Sequence, residues 1–406
     1  MTHTDKSKIA IIGGGPAGLV AAIALARRSV PTTVIETLEH PDIALRFDPN
    51  RSYTIDITGH GLKALRYIDA CDEFEQQLTP FKGIRLYGSN LVEAWDDDGW
   101  TGSRGDILRA LMSVINKHYA NIIQFEFETR VTEVDVQTGI VTTVAQGAKQ
   151  TRQFDFIIGA DGGGSVVRQA ISEQLPEFTT EYREIPNYAT MLEFDQNTDE
   201  LDPCYLYIMS QNPFCVAGAI NGESGKEHVR WFCAVGSNYE VQYQSASDVR
   251  QYFQKSAPKL LKFTSDTSLT NFTHLKCYHI GRQVTCSQLH GGKAVLLGDA
   301  AAPFSPIGQG INAAMESAMV FDQCFAGTTT QELQLTAQNY NYSWLPEAQA
   351  IAWISERLIY NKLTHNVRML LTRSFGINIL SNAKKTELSY TQVKKQADRF
   401  PMLWAW

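Results

Sequence analysis

A glycine cluster follows the first strongly apolar stretch of the chain. Residues 9–12 are Ile-Ala-Ile-Ile, a short run that predicts a strand buried on both faces. Gly13, Gly15 and Gly18 then follow in the spacing GxGxxG. The next stretch, Pro16 to Arg28, has the apolar spacing of a helix. Glycines placed in this way allow a tight turn, a close approach of backbone to a pyrophosphate, and close packing of helix on strand. The pattern predicts a dinucleotide site at the start of the helix.

Two further residues belong to the same predicted site. Ala17 lies inside the glycine motif, and Glu36 closes the next predicted strand, Thr32 to Glu36. A carboxylate at the end of this strand is suited to hydrogen bond the ribose hydroxyls of an adenosine. A chance glycine-rich turn is the alternative interpretation. The motif alone does not distinguish FAD from a nicotinamide dinucleotide.

Two later segments also follow short apolar runs. Residues 159–168 are Gly-Ala-Asp-Gly-Gly-Gly-Ser-Val-Val-Arg, and residues 298–312 are Gly-Asp-Ala-Ala-Ala-Pro-Phe-Ser-Pro-Ile-Gly-Gln-Gly-Ile-Asn. The runs before them, at 154–159 and 293–297, predict buried strands of a parallel sheet. We therefore expect both segments to leave the sheet at the same edge as the glycine motif.

Together the three segments resemble the motifs of the flavin-dependent aromatic hydroxylases, the group A FAD monooxygenases with the para-hydroxybenzoate hydroxylase fold. The resemblance covers about residues 8–325, and residues 50–58 most resemble the kynurenine 3-monooxygenase branch. It implies an enzyme that holds FAD, consumes NADPH or NADH, and uses dioxygen. Such an enzyme would hydroxylate or epoxidise a small aromatic substrate through a flavin hydroperoxide, and a carboxylate on that substrate is a further hypothesis.

The resemblance also implies roles for single residues. Asp299 would hold the ribityl chain of FAD, and Asp161 and Arg168 would bind FAD or the nicotinamide nucleotide. Arg51 and Arg104 would be basic contacts of the flavin, with surface salt bridges as the alternative. Asp161 has a second, compatible interpretation as a turn former and helix N-cap.

The segment expected to carry the oxygen chemistry is 303–312. Pro306 would shape the wall beside the flavin carbon to which oxygen adds, and Gly308 and Gly310 would let backbone N–H groups reach the ring. We predict these three as catalytic positions. A helix beginning near Ile311 would direct its positive end at the reduced flavin. The predicted cofactor contacts of this segment are Gly298, Asp299, Gly310, Ile311 and Asn312.

Three residues are candidates for substrate binding. The stretch from Gly83 to Trp100 alternates in polarity and predicts a hairpin that reaches into another part of the fold. Arg85 lies in this hairpin, and the resemblance implies a carboxylate-binding arginine in a comparable region, with an exposed strand arginine as the alternative. Tyr205 and Trp231 lie in alternating, aromatic-rich segments and would line a flat apolar pocket, with core packing as the alternative.

The order of these segments predicts an α/β fold in three parts. A Rossmann-like FAD-binding domain is expected at residues 1–80, 101–180 and 285–330. An inserted, mainly antiparallel β-sheet substrate domain is expected at residues 81–100 and 181–284, and a C-terminal helical region at 331–406.

Charge and cysteine content argue against several other classes of protein. The formal net charge is −7, whereas binding to nucleic acid requires a strongly basic surface. The seven cysteines are scattered, so we predict reduced thiols in a cytoplasmic protein and no metal site. The uncharged stretch 9–26 has the length of a membrane span, but its glycines and Pro16 favour a strand, a turn and a helix.

The C-terminal 56 residues have the opposite charge balance. From Ile351 to Trp406, nine Lys and Arg residues stand against three acidic ones. Two interpretations stay open, a solvated helical face and a docking surface toward a membrane or a partner. Peripheral membrane contact is therefore a hypothesis, an integral span is not expected, and we expect a monomer or a homodimer.

Two other functions share parts of this pattern. A flavin oxidase or reductase would bind FAD without inserting oxygen into its substrate. A carrier protein would keep the glycine motif without flavin turnover, but the Asp161-Gly162 and Gly298-Asp299 pairs argue against a carrier. The expected partners are dioxygen and a small aromatic molecule.

Overall fold

The computed structural model describes residues 8–45, 48, 50, 53–222, 225–304, 308–359, 378–385 and 387–398. Up to residue 126 its elements are β1 (Ile9–Ile12), α1 (Pro16–Arg27), β2 (Thr32–Ile35), β3 (Ile55–Ile57), α2 (Gly59–Tyr67), α3 (Cys71–Gln77), β4 (Thr79–Pro80), β5 (Gly83–Leu86), β6 (Val92–Ala94), β7 (Trp100–Gly102), α4 (Arg104–His118) and β8 (Ile123–Glu126).

From residue 129 to residue 274 the elements are β9 (Thr129–Asp135), β10 (Ile140–Ala145), β11 (Ala148–Gln153), β12 (Phe156–Gly159), α5 (Val166–Gln174), β13 (Thr180–Glu184), β14 (Tyr188–Phe194), β15 (Tyr205–Gln211), β16 (Phe214–Gly222), β17 (Gly225–Ser237), α6 (Ala246–Ser256) and α7 (Asp266–His274). The remaining elements are β18 (Tyr278–His279), β19 (Arg282–Cys286), β20 (His290–Gly291), β21 (Ala294–Leu296), α8 (Gly310–Gln323), α9 (Thr330–Ile359), α10 (Ile379–Lys384) and α11 (Tyr390–Asp398).

A six-stranded sheet in the order β20-β21-β12-β1-β2-β8 forms the centre of the fold. All its strands are parallel except the edge strand β20. Because β1, β12 and β21 are neighbours, the three motif segments leave the sheet at one carboxyl edge. This confirms the predicted α/β class with a Rossmann-like sheet.

The edge strand β8 precedes an antiparallel segment. The pattern of residues 125–144 predicts two or three antiparallel strands, and β9 and β10 confirm two of them, whereas β8 lies parallel to β2, with Phe125 opposite Val34. The crossover through α4 returns the chain in the parallel direction, as helical crossovers do. The antiparallel pairing begins only with β9, β10 and β11.

A seven-stranded sheet in the order β18-β14-β17-β16-β15-β5-β6 is the second large sheet. Its strands are antiparallel except that β5 is parallel to β15. The hairpin β5–β6 therefore joins strands from much later in the chain, which confirms an inserted, mainly antiparallel sheet. Trp100 instead lies in β7, which pairs with β3 and β4.

Two helices that the sequence analysis did not predict cover one face of this sheet. α6 and α7 begin at the serine N-caps Ser245 and Ser265, whose hydroxyls accept a backbone N–H three residues later. Their apolar side chains, among them Phe253 and Leu269, pack with Trp231 in a hydrophobic core. This core is separate from the larger one around the six-stranded sheet, α1, α4, α8 and α9. Two cores favour two lobes, and the domain limits given above remain our proposal.

The described part of the C-terminal region is helical. α11 packs on α9, where Thr391 N donates to Glu347 Oε2 at 3.0 Å and Tyr390 is buried beside Trp344. Within the ranges that the structure describes, we find no helix with the length and apolarity needed to cross a bilayer.

Candidate cofactor site

The first and second motif segments touch at Gly13. This residue has φ of 102°, and a Cβ at this position would overlap the carbonyl oxygen of Ala160. A Cβ on Gly18 would in turn overlap the carbonyl oxygen of Gly13. Both glycines are therefore required for the turn between β1 and α1, as the sequence predicts.

The third segment meets the first at Gly298, which has φ of 55°. A Cβ on Gly298 would lie 3.1 Å from Ala17 Cβ and 3.0 Å from Ala314 Cβ. Its N–H donates to Ser317 Oγ at 2.9 Å. Because α1 and α8 pack closely around this glycine, their N-termini face the same carboxyl edge of the sheet.

Arg168 joins the second segment to the third. Its buried guanidinium donates to the carbonyl oxygens of Gly163 at 2.5 Å, Ala300 at 2.7 Å and Asp299 at 3.4 Å. This geometry gives Arg168 a structural function between two motif loops. A direct contact of Arg168 with a nucleotide stays a prediction.

Asp161 caps the first turn of α5. Its Oδ2 accepts the N–H groups of Val166 at 2.7 Å and Val167 at 3.3 Å. Burial raises the pKa of Asp161, although hydrogen bonds from Ser165 and from these backbone groups oppose the rise. Its Oδ1 is buried without a hydrogen-bond partner among the described residues. The capping interpretation therefore fits, and one oxygen is left to contact a ligand.

Two positive groups converge at the start of α1. Gly15 is the N-cap of α1 and offers no side chain to the N-terminal N–H groups. Arg104 Nη2 lies 3.2 Å from the position that a Cβ on Gly15 would occupy. Among the described residues we find no carboxylate within 4 Å of the Arg104 guanidinium. A helix N-terminus and a guanidinium side by side are suited to bind an anion such as a pyrophosphate.

Arg104 is the first residue of α4. Ser103 and Asp106 form a capping box there, with Ser103 N donating to Asp106 Oδ2 at 2.9 Å. The box fixes where α4 begins and so where Arg104 projects.

Glu36 lies at the same loop. Its Oε2 accepts the N–H of Gly14 at 2.6 Å, and its Oε1 accepts the N–H of Leu38 at 2.8 Å. The carboxylate is half-buried at the end of β2. It lies where the sequence analysis expects a ribose contact, and that contact stays a prediction.

Asp299, Tyr53 and Arg104 lie within electrostatic range of one another, in a region that we call the crevice. Asp299 is exposed and Tyr53 is 49% exposed, yet burial by the surrounding protein raises the pKa of both side chains. The positive charge of Arg104 opposes both shifts, so the three groups lie within electrostatic range of one another. Side chains that are accessible and still lose hydration are typical of a deep, open crevice.

The start of α8 opens onto space. Among the residues that the structure describes, a Cβ on Gly310 would meet no atom within 4 Å, and Gln309, the N-cap, makes no side-chain capping hydrogen bond. The next residue, Ile311, is half-buried. The first N–H groups of α8 are therefore available to a ligand.

Asn312 has a structural function in the same turn. Its Nδ2 donates to Asp56 O at 2.9 Å and Gly308 O at 3.2 Å, and its Oδ1 accepts the N–H of Thr58 at 3.1 Å. Its side chain therefore ties α8 to β3, and a cofactor contact stays a prediction. Two predicted site residues, Arg51 and Pro306, lie outside the described residues.

The predicted substrate residues lie together on the face of the seven-stranded sheet that α6 and α7 cover. The Arg85 guanidinium carbon lies 3.7 Å from the ring centroid of Tyr205. Trp231 is 2% exposed and packs edge-on against Tyr207. Arg85 is opposite Tyr207 in the sheet, so its side chain points to the same side as Tyr205 and Trp231, the side that faces the smaller hydrophobic core. The core-packing interpretation describes where Tyr205 and Trp231 lie, and the structure does not bring these residues to the crevice.

The other face of that sheet packs against the segment that follows Tyr53. A Cβ on Gly218 would lie 2.6 Å from both Leu206 Cδ2 and Thr54 Cβ, and Thr54 Oγ1 donates to Ala219 O at 3.0 Å. Thr54 directly follows Tyr53 in the chain. The buried apolar side chains on this face are Met191, Leu206, Ile220 and Phe232.

This wall and three polar groups were not predicted from the sequence. Tyr53 and Asp56 lie within residues 50–58, the segment that most resembles the kynurenine 3-monooxygenase branch, and this resemblance was the available signal. Lys384 is one of the nine basic residues for which a solvated helical face and a docking surface are the two interpretations, but it is 6% exposed. No spacing in the sequence distinguishes it from its neighbours.

These features suit FAD. Glycines remove the Cβ atoms that would fill the turn, two positive groups meet at the start of α1, and the start of α8 faces open space. Asp299, which is exposed, and Asp161, whose Oδ1 has no partner among the described residues, follow two neighbouring strands of the same sheet edge.

Proteins with known names are similar to this chain in sequence. A kynurenine 3-monooxygenase of Sus scrofa is 26% identical over 365 residues, which span 86% of this chain and 75% of the relative. A violacein synthase of Chromobacterium violaceum is 26% identical over 331 residues, which span 77% and 76%.

Solved structures share the fold. A tetrameric 2-methyl-3-hydroxypyridine-5-carboxylic acid oxygenase matches with a TM-score of 0.64 and 18% identity, over 93% of this chain and 95% of that chain. HpxO of Klebsiella pneumoniae, in complex with FAD, matches with a TM-score of 0.65 and 19% identity, over 98% and 99%. A family model described as FAD binding domain matches residues 6–331, most of the chain. The protein therefore belongs to this FAD-binding family and is an FAD-dependent monooxygenase of the flavin aromatic hydroxylase class.

Proposed function

We propose that this monooxygenase takes reducing equivalents from NADPH or NADH and adds one oxygen atom of dioxygen to a small aromatic substrate, by hydroxylation or epoxidation. The observation that carries the proposal is the open N-terminus of α8 at Gly310, in a helix that also packs against Gly298, the neighbour of Asp299. Bound FAD supplies the redox and oxygen chemistry.

The residues of the crevice have distinct proposed functions. The N–H groups at the start of α1 and the Arg104 guanidinium hold the pyrophosphate, and Glu36 holds the adenosine ribose. Asp299 accepts hydrogen bonds from hydroxyl groups of the ribityl chain. The first turn of α8 directs its positive end at the flavin ring, where it favours the negative charge of the reduced state.

We propose that the substrate lies against the crevice-side face of the seven-stranded sheet. Leu206, Ile220 and Phe232 form an apolar wall there, which excludes water and suits a flat ring. Carboxylated aromatic compounds are the first candidates, since named relatives act on kynurenine and on a pyridine carboxylic acid. We further propose a cytoplasmic monomer or homodimer.

Oxygen labelling tests the proposal. The purified yellow protein is mixed with NADPH or NADH, ¹⁸O₂ and a panel of carboxylated and bicyclic aromatic compounds. The masses of the products are then measured by mass spectrometry. We expect one compound to accelerate nicotinamide oxidation and to gain one labelled oxygen atom. Oxidation that yields only hydrogen peroxide across the whole panel would instead indicate an oxidase or reductase.

Two neighbouring residues provide a matched pair for the substrate wall. Phe232 lies on the crevice side of β17 and Trp231 on the core side, and both are 2% exposed. We expect Phe232→Leu to raise KM for the substrate and to divert reducing equivalents to hydrogen peroxide. Trp231→Phe should lower the melting temperature and leave the coupling of NADPH oxidation to product unchanged. The opposite result would move the substrate to the face with Arg85 and Tyr205.

A further inference from the structure

Lys384, the last residue of α10, is a cation buried next to the proposed flavin site. Its Nζ lies 2.7 Å from Asp56 Oδ2, and the two side chains are only 8% and 5% exposed. A buried ion pair adds little stability over an apolar pair of similar size, because both ions lose their water. The location of this pair is therefore more informative than its strength.

The pair lies directly against the turn that leads into α8. A Cβ on Gly308 would be 3.3 Å from Asp56 Oδ1 and 3.7 Å from Lys384 Nζ. Asn312 bridges the same two elements, since its Nδ2 donates to the carbonyl oxygens of both Asp56 and Gly308. A movement of the pair, or a change in its charge, therefore acts directly on the position and the electrostatic field of the Gly308–Asn312 turn.

The C-terminal segment that carries Lys384 is fixed at this place by backbone packing. The carbonyl oxygen of Lys384 occupies the position that a Cβ on Gly59 would take. Its Nζ lies 5.9 Å from the ring centroid of Phe81. A residue 328 positions beyond Asp56 in the chain is thus packed against β3 and the start of α2.

Resting on the proposed flavin placement, we propose that Lys384 is a positioning residue that neutralises Asp56 beneath the Gly308–Asn312 turn. Without Lys384, the Asp56 carboxylate would oppose the positive end of α8 and disfavour negative charge on the flavin ring. With it, the field at the start of α8 stays positive. The C-terminal helices are then part of the redox unit.

The midpoint potential of the bound FAD tests this directly. It is measured without oxygen, nicotinamide or substrate, by gradual chemical reduction against a reference dye. We expect Lys384→Met to shift the potential to more negative values, because Asp56 is then unbalanced. Asp56→Asn should shift it in the opposite direction, and the double variant Asp56→Asn/Lys384→Met should return close to the unmodified protein. Lys385→Met, a neighbouring exposed lysine, is the control and should leave the potential unchanged.

FAD titration of the apoprotein and thermal melting are measured on the same variants. If Lys384→Met and Asp56→Asn shift the potential in the same direction, or leave it unchanged while the melting temperature falls, the pair is only structural and the inference is overturned. If Lys384→Met does not fold, the other two variants still test the inference. Asp56→Asn must shift the midpoint potential, and the double variant must not. Because no product is formed in this measurement, the result does not depend on whether oxygen insertion is found.

Discussion

At the end of β2, Glu36 holds the N–H groups of Gly14 and Leu38 with its two carboxylate oxygens. Hydrogen bonds to a charged acceptor contribute about 1.5–3 kcal/mol. We therefore predict that Glu36→Ala weakens FAD binding about tenfold or more, because the loop loses its acceptor and the proposed ribose contact is lost. Quenching of flavin fluorescence by the apoprotein measures the affinity. Glu39→Ala, an exposed change on the same loop, is the control, and equal affinities in the two variants would contradict the prediction.

Single residues also mark the limit of sequence inference. Trp231 and Phe232 follow one another in β17 and are equally buried, because the seven-stranded sheet is covered on both faces. Alternation predicts that they point to opposite sides, but it cannot say which side carries the cofactor. Lys384 illustrates a second limit, since a buried lysine and a solvated one look the same until the partner, Asp56, is known.

Between elements, Asp322 of α8 connects the ends of α1 and α2. Its carboxylate accepts hydrogen bonds from Arg28 Nε at 2.7 Å and from Tyr67 Oη at 2.5 Å, and its side chain is 4% exposed. Removing one partner of a buried, hydrogen-bonded charge leaves the others unsatisfied. We predict that Asp322→Asn lowers the free energy of unfolding by about 2 kcal/mol, measured by urea denaturation. Asp69→Asn breaks the exposed pair with Arg27 at the same end of α1 and should cost less than about 1 kcal/mol.

A second contact between elements makes stability depend on pH. Glu316 of α8 lies 2.6 Å from His60 Nδ1 and 2.9 Å from Lys63 Nζ, both on α2. Burial by itself would raise the pKa of Glu316, but its interactions with His60 and Lys63 outweigh burial, and the pKa is lowered. A carboxylate with a lowered pKa stabilises the fold above its unfolded pKa of about 4.5, and this contribution is lost as the pH falls through the lowered value.

We therefore predict that Glu316→Gln flattens the loss of stability in acid. Urea denaturation between pH 7 and about pH 3.5 should give a smaller drop in unfolding free energy for this variant than for the unmodified protein. Glu177→Gln, at an exposed position, should reproduce the unmodified curve. Parallel curves for Glu316→Gln and the unmodified protein would exclude Glu316 as the source of the dependence.

The elements that could be predicted are those whose sequence pattern is explained by a single structural requirement. The run Ile9 to Ile12, the glycine turn and the helix from Pro16 follow from buried parallel strands and from backbone approach, and each lies where predicted. α6 and α7 were missed because the stretch 181–284 was interpreted from its period-two segments alone. Their serine N-caps, Ser245 and Ser265, were the available signal.

The whole molecule depends on how its two cores meet. The larger core supports the cofactor edge of the six-stranded sheet, and the smaller one supports the seven-stranded sheet. They approach each other at several contacts, and in one of them Thr54, in the chain leading to β3, packs on Gly218 of β16. This contact lies beside Leu206 of the apolar wall, which is one side of the proposed active site.

Gly218 offers a test at this scale. Any Cβ there would lie 2.6 Å from Leu206 Cδ2 and from Thr54 Cβ and Oγ1, so Gly218→Ala must push the sheet away from β3. Overpacking of this kind costs about 1–3 kcal/mol. We predict a loss of unfolding free energy in that range, together with more hydrogen peroxide per NADPH consumed, because a displaced wall admits water beside the flavin. Gly236→Ala, on the same face of the sheet but against Phe214 O at 3.1 Å, should cost less and leave the coupling intact. If both variants are equally uncoupled, the wall near Thr54 has no special part in excluding water, and the substrate site must lie elsewhere on the sheet.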